Sequence, residues 1–260
     1  MAEEKKRAVV MGATSGIGQA VALELERRGW LVGIAGRRAD KLKELKEKHA
    51  GIVAWQAIDV CCEEAPHQLQ ALLSEMGGMD LYFHSSGIGY QNTPLEAKKE
   101  LDTVQTNALG ATRMLVEAFH YFEQHAEKKG QIATISSIAG TKGLGAAPAY
   151  SATKRYLNTY LESLSQLAHI KGLKNLRITD IRPGFVQTAL LNDGLHYPLQ
   201  MKVERVAKEI VDKVERRKSV VTVDWRYRIL VFFWRLVPRW IWVRLRIVSH
   251  KEGSTSSGTL

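Results

Sequence analysis

The chain of 260 residues has only two cysteines, Cys61 and Cys62, and they are adjacent. Neighbouring cysteines cannot close a loop, so a disulfide-stapled secreted scaffold is excluded. No leader is visible either. Met1-Ala2-Glu3-Glu4-Lys5-Lys6 runs straight into an apolar strand without a cleavage site, which predicts a cytoplasmic protein. Long hydrophobic runs are missing from the C-terminal end: Ile229 to Trp234 is the longest there, against the roughly 20 residues of a spanning helix. Acids are scarce in the same region. From Arg216 to Lys251, ten Lys/Arg face one acid, Asp224, so this segment carries nearly all of the net charge of +10. Four of the six tryptophans lie there too (Trp225, Trp234, Trp240, Trp242).

The rest of the chain reads as a globular body. With 45% hydrophobic and 25% charged residues it has enough apolar content for a large core, which excludes intrinsic disorder. Strand-like runs (Ala8–Met11, Leu31–Ala35, Ile52–Ile58, Leu81–Phe83, Ile132–Ile135, Ile178–Ile181, Val220–Val223) alternate with helical periodicity. The helical stretches are Gly16–Arg28, Ala39–His49, Glu63–Met76, Leu95–Gln124, Tyr150–Ile170 and Val203–Val214. Alternation of this kind predicts right-handed βαβ units and a doubly wound parallel sheet in one Rossmann-like α/β domain. That domain is expected over residues 1–224, followed by an amphipathic helical extension over 225–260. The Gly253–Gly258 stretch is expected to fray.

Directly after the first strand comes Gly12-Ala13-Thr14-Ser15-Gly16-Ile17-Gly18. Alone, it could be a plain turn. Between a strand and a helix, its glycines let backbone approach a pyrophosphate, which the N–H groups of the helix start would receive. The second strand ends Gly36-Arg37-Arg38, with arginines where an acid would bind a ribose 2′-hydroxyl. Arginine suits a 2′-phosphate, so the cofactor predicted is NADP(H). Tyr150 and Lys154 stand at i and i+4 and share a helix face, and Ser137 ends the fifth strand thirteen residues before Tyr150.

This combination resembles the short-chain dehydrogenase/reductases over roughly residues 5 to 224. The matching pieces are Gly12 to Gly18, Asp59-Val60, Asn107, Ser137, Tyr150 with Lys154, and Pro183-Gly184-Phe185-Val186-Gln187-Thr188. The resemblance implies that Tyr150 is the general acid/base and that Ser137 orients the substrate oxygen. Lys154 would lower the phenol pKa and hold the nicotinamide ribose, while Asn107 holds a water on the proton path. Asp59 and Val60 would meet the adenine, Gly87 would admit the cofactor, and Val186 and Thr188 would hold the carboxamide beside Pro183 and Gly184. No metal is expected. Two departures stand out: Met11 replaces a usual Thr, and His84-Ser85-Ser86-Gly87 replaces Asn-Asn-Ala-Gly. His84 is read as a satisfied strand-end residue rather than a base.

In the tail, Arg228, Arg235, Arg239 and Arg246 would fall within about 40° on a continuous helix, interrupted at Pro238. Two readings stay open: peripheral membrane contact through residues 225–248, or packing on the body or a subunit interface. Nucleic acid is set aside because the apolar share is too large. An apolar pocket is expected from Phe185, Leu190, Leu191, Leu195, Tyr197, Pro198 and Leu199, with Gly143–Ala149 beside Tyr150. It points to a hydrophobic ketone or secondary alcohol, steroid-like or a long-chain lipid, handled by a homodimer or homotetramer. Competing readings are a 3-oxoacyl-thioester reductase and a non-catalytic cofactor-sensing membrane scaffold.

Overall fold

The computed structural model describes residues 5–188, 197 and 199–247. Seven parallel strands form one sheet in the order β3-β2-β1-β4-β5-β6-β7. They are β1 (Arg7–Met11), β2 (Leu31–Gly36), β3 (Ile52–Ala57), β4 (Leu81–His84), β5 (Gly130–Ile135), β6 (Leu176–Arg182) and β7 (Val220–Thr222). The chain winds outward from β1 to β3, then returns to β4 and winds the other way. The strand ends at this reversal open a crevice, which is where open parallel sheets bind ligands.

Period-two alternation divides the strands between two cores. Ala8 and Val10 of β1 face one layer, with helices α1 (Gly16–Arg27), α2 (Ala39–Lys48) and α7 (Val203–Glu215). Val9 and Met11 face the other, with α3 (Ala65–Met76), α5 (Ala111–Gln124) and α6 (Pro148–Ile170). In α1 the buried residues are Gly18, Val21, Ala22 and Leu25, a stripe at i, i+3, i+4 and i+7.

Helix α6 starts two residues before its expected position because Pro148 occupies the first turn, where its missing N–H costs nothing. The expected long helix over 95–124 is instead α4 (Ala97–Val104), a wider π-helical turn (Gln105–Gly110) and α5. Such turns bring side chains to functional sites out of the regular helical register; here the side chain is Asn107.

The tail departs from the expected alignment. Helix α8 (Trp225–Leu236) ends before Val237-Pro238, and the short α9 (Arg239–Trp242) takes a new direction. Proline disfavours helix at the residue before it. Arg228 and Arg235 therefore share a helix, but Arg239 and Arg246 do not continue that face. Asp224 caps α8 by accepting from Arg226 N–H at 2.9 Å, despite a φ of 68°. No helix among the described residues is long and apolar enough to cross a membrane. Gly253–Gly258 lies outside the described residues.

Leu25 is fully buried between α1 and the sheet. Replacing it with Ala is expected to cost about 2–5 kcal/mol, read as a lowered urea midpoint. A midpoint equal to wild type would contradict this packing.

Candidate active site

The C-terminal strand ends enclose a cavity of ≈ 1540 Å³. Ordinary small-molecule pockets hold about 300–1,000 Å³, so there is room for a dinucleotide and a second molecule.

At one end the chain turns so tightly that side chains are excluded. Gly12 has a φ of 86°, and a Cβ there would lie 2.7 Å from Ser86 N. A Cβ on Gly18 would lie 2.2 Å from Gly12 O, so the first turn of α1 packs directly on the end of β1. Ser15, the residue before α1, makes no side-chain cap hydrogen bond to the helix. The α1 N–H groups, their positive dipole end and the glycine backbone thus form an anion cradle. Thr188 stands over it, its methyl carbon 3.3 Å from where a Gly16 Cβ would be. Thr14, Ser15, Gly16, Ile17, Arg37, Arg38, Asp59, Val60, Pro183, Gly184, Val186 and Thr188 all line the same cavity. These residues fit a nicotinamide dinucleotide.

Arg38 closes the edge of this cradle. Its Nε and NH2 donate to Thr14 Oγ1 at 3.1 and 2.7 Å, and NH2 also donates to Ser15 Oγ at 2.7 Å. Arg37 lies beside it and is exposed. Past the end of β3, Asp59 accepts from Cys61 N–H at 3.0 Å, and Val60 C=O accepts from Arg113 at 2.7 Å. Both carry structural duties that the sequence did not announce, and Arg113 is a residue that sequence reasoning missed.

Ser137, Tyr150 and Lys154 line the other end, and Asn107 is buried behind it without lining the cavity. Ser137 follows β5 and caps a 3-10 turn (Ile138–Thr141), its hydroxyl accepting from Ala139 N–H at 3.0 Å. Lys154 is 5% exposed; its ammonium donates to Ile135 C=O at 3.0 Å and lies 5.6 Å from the centre of the Tyr150 ring. Asn107 Oδ1 accepts from Ile88 N–H at 2.8 Å, and Nδ2 donates to Ile88 C=O at 2.7 Å. The Asn107 side chain is thus spent on the segment after β4, and any water it held would have to share those groups. A Cβ on Gly87 would sit 3.3 Å from Asn107 Oδ1 and 3.6 Å from Lys154 Nζ. Gly89 was also missed: its bare Cα admits the Tyr150 ring, which a Cβ would meet at 2.6 Å.

Behind Lys154 sits a buried polar cluster that no motif revealed. Asp180 accepts from Ser136 Oγ, from Asn158 Nδ2 at 3.0 Å and from Arg182 Nε at 2.7 Å. These residues meet only because β5, β6 and α6 are neighbours.

The electrostatics differ from expectation in one respect. Burial pushes the Tyr150 phenol above its ordinary value, with a hydrogen bond from Ser137 opposing. Burial also pushes Lys154 down to about 8, with the negative charge of Asp180 opposing. Desolvation of both groups outweighs the lowering of the phenol expected from Lys154. His84 is buried, hydrogen-bonded to Tyr82 OH at 3.1 Å and pushed down to about 3, chiefly by burial. It is neutral and walled off from base chemistry.

Phe185, Tyr197, Leu199, Leu144 and Ala147 form the apolar wall, joined by Leu230 and Trp234 of α8. Leu190, Leu191, Leu195 and Pro198 lie outside the described residues.

The short chain dehydrogenase model matches residues 6–196. An uncharacterized oxidoreductase of Myxococcus xanthus is 32% identical over 249 residues, covering 92% of this chain and 95% of that protein. An alcohol dehydrogenase from the archaeon Thermococcus sibiricus, complexed with 5-hydroxy-NADP, superposes with a TM-score of 0.72 at 22% identity. That match covers 85% of this chain and 95% of the other. A 3-ketoacyl-(acyl-carrier-protein) reductase from Brucella melitensis, complexed with NADH, gives 0.73 at 22% identity over 84% and 96% of the two chains.

The pKa order predicts a pH profile. As pH rises through about 8, Lys154 loses its ammonium while the raised Tyr150 phenol keeps its proton. Nicotinamide-dependent reduction, read as kcat/KM, should therefore decline through that range, and Lys154→Met should lack that decline. An unchanged alkaline limb in the variant would assign it to another group.

Proposed function

The chain belongs to the short-chain dehydrogenase family, and from that membership we propose an NADP(H)-dependent enzyme that interconverts a ketone and a secondary alcohol on a hydrophobic, steroid-like or long-chain lipid substrate. The observation that carries this reading is the convergence of Ser137, Tyr150 and Lys154 in the same cavity as the glycine cradle and Arg38. The nicotinamide, when bound, supplies or accepts the hydride.

The chain's own residues do the rest. Ser137 holds the substrate oxygen and Tyr150 gives it a proton. A phenol held above its ordinary pKa is the correct form for that donation at neutral pH. Lys154 would hold the nicotinamide ribose and return the proton to Tyr150, while Asn107, bonded to Ile88 and Thr153, fixes the backbone beside that ammonium. Arg38 and Arg37 would meet the 2′-phosphate. The apolar wall of Leu144, Phe185, Tyr197, Leu230 and Trp234 supports a lipophilic substrate.

Residues 1–224 are read as the catalytic unit and 225–260 as an appended tail, in a cytoplasmic enzyme that contacts a membrane peripherally. Leu101, Val104, Val116 and Tyr156 are exposed on α4–α6 and support association as a homodimer or homotetramer. The 3-oxoacyl-thioester alternative draws on Arg246 at the cavity wall, since a basic rim suits an acidic carrier protein. A scaffold without turnover would have no use for a buried ammonium beside a buried phenol.

Tyr150→Phe is expected to lose about 10²–10⁴-fold in turnover while binding NADPH as wild type does by fluorescence titration. Full activity in this variant would remove the proposed acid. Arg38→Ala should weaken NADPH by about 10–100-fold, the worth of charged hydrogen bonds, and NADH by much less, that smaller loss coming from Thr14 and Ser15, which Arg38 bonds. Equal losses for both cofactors would place Arg38 outside the 2′-phosphate site.

A further inference from the structure

Helix α8 has two apolar sides, and only one of them packs against other described residues. At about 100° per residue, Tyr227, Val231 and Trp234 fall within an arc of roughly 60°. Tyr227 and Val231 are buried, and Trp234 packs against the same core. Trp225, Ile229, Phe232 and Leu236 fall within a second arc of roughly 60°, on the opposite side. Trp225 is 64% exposed, Phe232 60% and Leu236 64%. Phe233, also exposed, stands at the edge of this stripe, edge-to-face with Phe232 at 5.5 Å between ring centres.

The charges flank that stripe. Arg228 and Arg235 fall on one side by the same helical geometry; Arg226 falls on the other, where it is paired with Asp224 at 2.8 Å. Helix α9 and the residues after it extend the surface with exposed Trp240, Val243 and Leu245. Arg244 lies over the Trp240 ring at 6.0 Å and donates to Trp240 C=O at 2.6 Å. From Trp225 to Ile247 there are six arginines and no acid.

We infer that the outer face of α8 and α9 seats on an anionic lipid bilayer, with the inner face of α8 forming the wall of the substrate pocket. The inference rests on the lipophilic-substrate reading and names the partner of that pocket. An apolar keel flanked by arginines and carrying tryptophans matches the acyl boundary and the anionic headgroups of a bilayer at once. A second copy of this chain fits worse. A self-complementary interface on this face would bring arginine rows from both copies together with no acid between them.

The inner face gives the surface its meaning. Tyr227 is 1% exposed, and its hydroxyl accepts from Phe185 N–H at 3.1 Å and donates to Leu199 C=O at 3.0 Å. Its ring takes the space of a Gly184 side chain, whose Cβ would lie 2.2 Å away. Trp242 anchors α9 by donating to Gly143 C=O at 2.7 Å, and Lys142 donates to Val237 C=O at 2.8 Å. The docking surface is therefore fixed to the segments on both sides of Tyr150. Leu230, Trp234, Arg246 and Ile247 belong at once to this tail and to the cavity wall, so in a docked protein the thickness of α8 separates the pocket wall from the lipid.

The test uses the full-length protein with phosphatidylcholine vesicles, with and without phosphatidylglycerol, in a sedimentation assay. Binding should require phosphatidylglycerol and weaken as salt rises. Arg228→Gln and Arg235→Gln should each weaken it by about fivefold. The double substitution Phe232→Ser with Phe233→Ser should lower it by at least about 100-fold, with turnover of a water-soluble ketone unchanged because neither ring lines the cavity. That turnover also reports a folded enzyme. Three outcomes would overturn the inference: no vesicle binding, equal binding without phosphatidylglycerol, or conversion of an oligomer to monomer by the double substitution in light scattering. Failure of the wild type to reduce any ketone would strike the proposed reaction instead, and leaves the vesicle result to be read on its own.

Discussion

The ammonium of Lys154 is held away from water against the carbonyl of Ile135, and much of the surrounding structure exists to make that tolerable. A buried ammonium needs acceptors and a countercharge placed in advance. Strand β5 supplies the carbonyl and α6 supplies the lysine one turn after Tyr150. Strand β6 supplies Asp180, itself kept in place by Ser136, Asn158 and Arg182. The π-helical turn sets Asn107 against Ile88, which fixes the backbone facing the same ammonium. Four elements far apart in sequence thus converge on one charge, and the glycines at 87 and 89 keep that convergence free of side-chain bulk.

The tail resolves two readings that had looked like rivals. Packing on the body and contact with an outside partner seem to compete for one apolar surface, but α8 has two. Its inner side is consumed by Gly184, Phe185 and the pocket wall. Its outer side keeps large rings in water beside arginines. A contiguous apolar patch of this kind is uncommon on a protein without a partner for it.

Much of the architecture was legible because it depends on local periodicity. Buried parallel strands read as continuous apolar runs, and Ala8–Met11 or Ile178–Ile181 needed no tertiary information. The pairing of Tyr150 with Lys154 was legible because i and i+4 share a face on any helix. What depends on sheet order was not. Nothing near Asp180 in the sequence indicates Ser136 or Asn158, and nothing near Arg113 indicates Val60. The inner and outer sides of α8 were illegible for a different reason: both are apolar, so periodicity carries no sign of which one faces the protein. The upward push that burial gives the Tyr150 phenol was illegible, because a charge partner can be read from sequence and the depth of burial cannot.

The hydroxyl of Tyr227 joins Phe185 to Leu199, and so fixes both ends of the chain running between them. Val186 and Thr188 follow the first of those ends, and Tyr197 precedes the second; all three line the cavity. One phenol in the tail therefore tethers the anion cradle and the apolar wall together, and a change at Tyr227 is felt at both.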